Sequence, residues 1–168
     1  SEEELLFDCN LMSKKYKYFD LGSISISPNN KMAAFSIDTV SRRFYTIMVK
    51  ELDEKKILDF KLKGTSGSCV WSNDSKYIFY SKKNSKTLRS ESVNRFDLDK
   101  LYEKKIYEEK DLTFSVNVSK SKSKEYIFIN SYSTLTTETR FLKSDHPLGK
   151  FKILQKRIKN LEYYVFHF

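Results

Sequence analysis

The sequence predicts an all-β fold, a partial β-propeller of about three consecutive four-stranded antiparallel blades. Three stretches carry that prediction: SISISPNNKMAAFSID (residues 23–38), SCVWSNDSKYIFYSKK (68–83) and SVNVSKSKSKEYIFINS (115–131). Each reads as a short alternating strand, a polar turn, a Lys and then a dense apolar strand. Matching positions step by 45 residues from Lys31 to Lys76 and by 49 from Tyr77 to Tyr126. A repeat of that length built from strands fits propeller blades rather than helical repeats. Composition agrees, since 39% hydrophobic and 15% aromatic residues among 168 supply a packed core and argue against disorder.

Residues 1–22 read as a lead-in segment, a short helix or a loop. Leu5, Cys9, Met12 and Tyr16 fall at helical spacing, and Ser1 precedes three Glu in an N-capping pattern. The first blade is expected over about 23–62, with strands at 23–27, 32–37, 45–51 and 56–59. Tyr45, Ile47 and Val49 alternate with Thr46, Met48 and Lys50, the period of a sheet with two unlike faces. The second blade is expected over 66–109, with strands at 70–71, 77–81, 91–98 and 105–108. The third runs over 113–156, with strands at 114–118, 126–131, 137–143 and 151–154. LEYYVFHF (161–168) then reads as the first strand of a further blade. Only four Gly and two Pro are present, so Asn, Asp, Ser and Lys must make most turns. Three blades and a fragment cannot close a ring, which leaves blade faces and strand edges uncovered.

The residues carry little chemistry of their own. His146 sits beside Pro147 in a loop, His167 falls in the last strand, and no CxxC or HxxxH occurs, so no metal site is expected. Cys9 and Cys69 read as two reduced thiols of a cytosolic protein, Cys69 as a small core residue. A serine hydrolase needs a G-x-S-x-G elbow; the nearest string, GTSGS (64–68), ends in Ser and precedes a strand, so it reads as a turn between blades. No catalytic residue and no cofactor is assigned. The net charge is +9, but six of the 31 basic residues are Arg and the remaining Lys are scattered. That pattern reads as a solvated surface rather than a nucleic-acid face, and SKSKSK (119–124) as a solvated tip. No apolar run reaches the length of a membrane span. The first residues, SEEELLF, lack the basic start of a signal peptide, and the missing initiator Met suggests a chain that begins inside a longer protein.

DTVSRRFYTI, SGSCVWSNDSKYIFY, IYEEKDLTFSV, KSKEYIFINSYSTLTTETRFL and LEYYVFHF, taken together, resemble the propeller of the oligopeptidase B branch of the prolyl oligopeptidase family of serine peptidases. The resemblance runs from about Leu5 to Phe168. It implies a seven-bladed propeller paired in cis with a C-terminal α/β-hydrolase peptidase domain, absent from this chain. It implies that the whole enzyme is cytoplasmic and cleaves short basic peptides after Lys or Arg. The propeller restricts access and takes no part in bond cleavage. No nucleic-acid or membrane partner and no cofactor is implied. The sequence departs from the pattern at Phe44, where relatives usually carry Gln, at Leu112, where a second Asp usually stands, and at Lys17, where some carry an acid. The alternative is a stand-alone propeller-like interaction scaffold without catalysis.

Arg42 and Arg43 stand side by side between two expected strands. On an extended chain neighbouring side chains point opposite ways, and Arg pairs well with carboxylates. One can then pair within the propeller while the other reaches another domain. The resemblance places the double Arg near the domain interface. Arg42, Arg43 and the acids of YEEKD at a blade junction (Glu108, Glu109 and Asp111) are the candidate interdomain contacts.

Overall fold

A computed structural model describes residues 4–168. Twelve strands follow one short helix among these residues. The helix α1 (Cys9–Ser13) starts where Asp8 accepts a hydrogen bond from Leu11 N. The expected cap at Ser1 lies outside the described residues. The expected apolar face is also different. Of the four expected residues only Met12 packs on Phe35, Ile37 and Met48, joined by Phe7, Phe19 and Leu21, while Leu5 is 73% exposed. Five helical residues are too few for a stripe, so Phe7 and Phe19 from the flanking loops and Leu21 from the first strand join Met12 in the covering.

The first blade is β1 (Asp20–Ile26), β2 (Met32–Asp38), β3 (Tyr45–Glu51) and the two-residue β4 (Lys56–Ile57). The second holds β5 (Leu62–Trp71), β6 (Tyr77–Lys83), β7 (Ser90–Asp97) and β8 (Tyr102–Glu108). The third holds β9 (Ser115–Lys120), β10 (Tyr126–Tyr132), β11 (Thr137–Lys143) and β12 (Lys152–Ile153). Every pairing is antiparallel. β5 is longer than the sequence suggested because it serves two blades. Its start pairs with β3 (Ile47 with Leu62), and its end is the innermost strand of the second blade (Trp71 with Ile78).

GTSGS lies within β5 as the passage between blades. Ser23 Oγ donates to Gly67 O at 2.7 Å, so the chain crosses the inner strand of the first blade here. A side chain at Gly67 would meet the Tyr45 ring at 2.8 Å, and its φ of +99° favours Gly. The string is therefore a crossing and not a nucleophile elbow.

Alternation sets the layers. Ala34, Ile47, Val49, Leu62, Trp71, Ile78, Tyr80 and Phe96 form the core between the first two blades. Phe79, Val93, Val116, Val118, Ile127, Ile129 and Leu142 form the core between the second and third. The lead-in segment covers the opposite face of the first blade.

The three polar turns share one design. Ser27, Ser72 and Ser121 each accept from the backbone N–H five residues on, and Asn30, Ser75 and Lys124 each take a positive φ. This explains SPNNK, SNDSK and SKSKSK as one structural word. The residue before the second and third Ser also clamps the preceding blade: Trp71 Nε1 donates to Ser25 O, and Lys120 Nζ donates to Trp71 O. Lys120 also donates to Asn73 Oδ1, and burial lowers its ammonium pKa. It is a clamp between blades, unlike Lys122 and Lys124, which are exposed as expected for a solvated tip. Residues 161–168 form no strand. They run alternately half-buried and exposed along the third blade, tied by Thr137 N to Leu161 O and by Ser123 N to His167 O. A ladder needs consecutive pairs, and none forms among the described residues.

Candidate interdomain face

Strand direction sorts the loops into two ends. The Ser-led turns lie at one. The β2–β3, β6–β7 and β10–β11 loops lie at the other, together with the blade-to-blade passages at 64–68, 109–114 and 155–160. All five candidate contact residues fall at this second, crossover end.

Asp38, the last residue of β2, is buried and shapes the first loop. Its Oδ1 accepts from Val40 N, and its Oδ2 accepts from Arg42 N and Arg43 N at 2.9 and 2.7 Å. The backbone curls around one carboxylate, with positive φ at Ser41 and Arg43. The premise of an extended Arg-Arg pair therefore fails, because the loop is wound rather than straight. Both side chains are exposed, and neither has a carboxylate partner among the described residues. Lys83 Nζ, from the second blade, donates to Arg43 O at 2.7 Å and ties the loop down. Phe44 stacks over Gly64, whose missing side chain makes room for the ring.

The acids of YEEKD part company. Glu108 is exposed and pairs with Lys105 at 2.8 Å. Glu109 turns inward, with its side chain 4% exposed. It accepts from Arg157 Nη2 at 2.8 Å, Tyr107 OH at 2.8 Å and Asp111 N at 3.0 Å. Burial alone would raise its carboxyl, but these hydrogen bonds hold it below the ordinary carboxylate value. Asp111 accepts from Thr113 N and Oγ1, and lies 3.9 Å from Arg157 Nη1.

Arg157 also lies 3.3 Å from Glu138 and stacks 3.7 Å over Phe114. Glu109 belongs to the second passage and Arg157 to the third, so the pair fastens one crossover to the next. Arg89 adds a second fastening, donating to Phe114 O at 2.8 Å. Arg89, Arg140 and Arg157 are thus paired with Glu91, Glu138 and Glu109. The sequence reading missed these three Arg. Arg89 and Arg140 each pair with a Glu two residues away, whereas Glu109 lies in another element and no spacing rule connects positions 109 and 157.

Residues 1–168 match the family described as "Prolyl oligopeptidase, N-terminal beta-propeller domain". The chain belongs to this family. It is 31% identical over 167 residues to dipeptidyl aminopeptidase BI of Pseudoxanthomonas mexicana, covering 98% of this chain and 23% of that protein. It is 27% identical to protease 2 of Moraxella lacunata, with 98% and 24% covered. Oligopeptidase B from Leishmania major superposes with a TM-score of 0.90 at 28% identity, with 98% and 23% covered. The chain therefore spans about a quarter of the length of the relatives it matches. The family's propeller fold accounts for the layered blades. No group of three or more His, Cys, Asp or Glu among the described residues is placed to hold a metal. His146 sits in the exposed loop before β12, and His167 Nδ1 lies 2.8 Å from Ser123 Oγ.

Proposed function

We propose that this chain is the gating part of an oligopeptidase B-like serine endopeptidase that cleaves short peptides after Lys or Arg. One observation carries the reading. At the crossover end Arg89 and Arg157 are bound into the propeller, while Arg42 and Arg43 stand exposed on a loop whose backbone is held by Asp38 and Lys83. Two guanidinium groups without carboxylate partners among the described residues, carried on a backbone held in place, suit carboxylates of a neighbouring domain. That domain is the C-terminal α/β-hydrolase peptidase domain, joined in cis and supplying Ser, Asp and His for acyl transfer. The propeller then limits access to short, unfolded peptides. The relatives' names as peptidases support this reading, and the unpaired Cys9 and Cys69 favour a reducing, cytosolic setting.

The test is hydrolysis by the full-length protein of fluorogenic peptides ending in Arg, Lys, Ala or Pro, alone and embedded in a folded carrier. Cleavage confined to short Arg and Lys peptides is expected. Equal cleavage of the folded carrier would sink the gating role, and preference for Ala or Pro would sink the specificity.

A further inference from the structure

We propose that the cleft on the outer wall between the second and third blades binds a compact polyphosphate anion. Its volume is about 390 Å³, within the usual span of small-molecule sites of roughly 300–1,000 Å³. Arg95, Lys104 and Lys105 line it from the second blade, and Arg140 and Lys150 from the third. No Asp or Glu is among its lining residues.

The arrangement is costly without a counter-ion. Arg95 and Lys104 are register partners on β7 and β8, and like charges opposite one another destabilise a sheet. Neither has a carboxylate partner among the described residues; nor does Lys150. The carboxylates nearby are already committed. Glu138 lies 2.7 Å from Arg140, and Glu108 lies 2.8 Å from Lys105. Asp97 and Asp74 sit towards the turn end, beside Tyr77.

The Arg side chains are held in place. Arg95 stacks 5.4 Å over Tyr77 and donates through Nη1 to Pro147 O at 2.7 Å. Arg140 stacks 4.3 Å over Tyr107. Stacking on Tyr77 leaves the remaining edge of the Arg95 guanidinium free and oriented, and that edge matches phosphate oxygens, while Arg140, paired with Glu138, adds positive charge to the wall. A phosphate chain concentrates several charges in a small volume. An acidic peptide spreads one charge per residue and needs a longer track. The inference rests on the second and third blades alone and is independent of the peptidase reading.

The test is isothermal titration of the full-length protein with tripolyphosphate at low salt. Three variants are compared with the wild type: Arg95→Gln/Lys104→Gln, Lys150→Gln, and Lys61→Gln/Lys63→Gln as a charge-matched control away from the cleft. Saturable binding is expected, weakened about tenfold or more in the double cleft variant. A smaller loss is expected in Lys150→Gln, and none in the control. Lys150 is exposed, so its variant keeps the test decisive if the double variant misfolds. No saturable binding, equal loss in the control, or tighter binding of a ten-residue poly-glutamate would overturn the proposal. Binding of inorganic phosphate as tight as that of tripolyphosphate would also overturn it.

Discussion

Replacing Arg157 by Met separates two explanations of how successive blades are held in line. The apolar stem of Met keeps part of the contact with Phe114, while the charge and its hydrogen bonds are lost. Glu109, 4% exposed, keeps Tyr107 OH and Asp111 N but loses its counter-charge. Breaking a fully buried ion pair costs about 3–5 kcal/mol. Arg157 is itself 27% exposed, so water recovers part of that, and about 2–3 kcal/mol is expected. The loss should be local. In native-state hydrogen exchange of the full-length protein, Glu109 N (bound to Glu91 O) and Asn160 N (bound to Thr136 Oγ1) report on the two passages. They should exchange about 30- to 150-fold faster, while Ile127 N in the third-blade core stays unchanged. The difference should also shrink in acid. The carboxyl of Glu109 is held below its unfolded value, so the pair's stabilisation is complete above about pH 4.3 and is lost as pH falls through the folded value. Exchange at Glu109 and Asn160 within threefold of wild type at pH 7 would show that the crossovers are held by packing alone.

Gly67→Ala should destabilise the first blade by about 2 kcal/mol or more, through positive φ and the clash with Tyr45, read as a lower denaturation midpoint. Tyr45 OH donates to Asp20, and that bond, with burial, pushes its pKa up to about 12. The stability it adds is present below about pH 10 and lost as pH rises towards 12, and Tyr45→Phe should flatten the alkaline limb of a thermal-stability profile. Burial pushes the Cys69 thiol up to about 12, while Cys9 is exposed. A thiol reagent at pH 8 should therefore modify Cys9 quickly and Cys69 only on unfolding; equal rates would contradict the packing described.

Much of the fold was legible because propeller repeats write themselves twice, in apolar alternation and in the turn. β3 and β11 begin and end where the residue pattern placed them, at Tyr45–Glu51 and Thr137–Lys143. β5 was read too short because Gly64 and Gly67 look like a break, although the chain goes on pairing with both neighbours across a shift of register. The lead-in face was misread because Phe7 and Phe19 act from loops, where no period exists. At the crossover end Arg42 and Arg43 stood out as adjacent letters, but the residue that shapes their loop is Asp38. Lys120 looked like one lysine of a solvated run, yet tertiary contact puts it beneath the second blade. Ion pairs such as Glu109–Arg157 join positions far apart in the chain and leave no local mark.

The most direct test of the central claim is a cryo-EM structure of the full-length protein. The account predicts a catalytic domain seated on the crossover end, with Arg42 and Arg43 facing its carboxylates. A catalytic domain seated on the Ser-led turns at Ser27, Ser72 and Ser121, with Arg42 and Arg43 left in solvent, would contradict it.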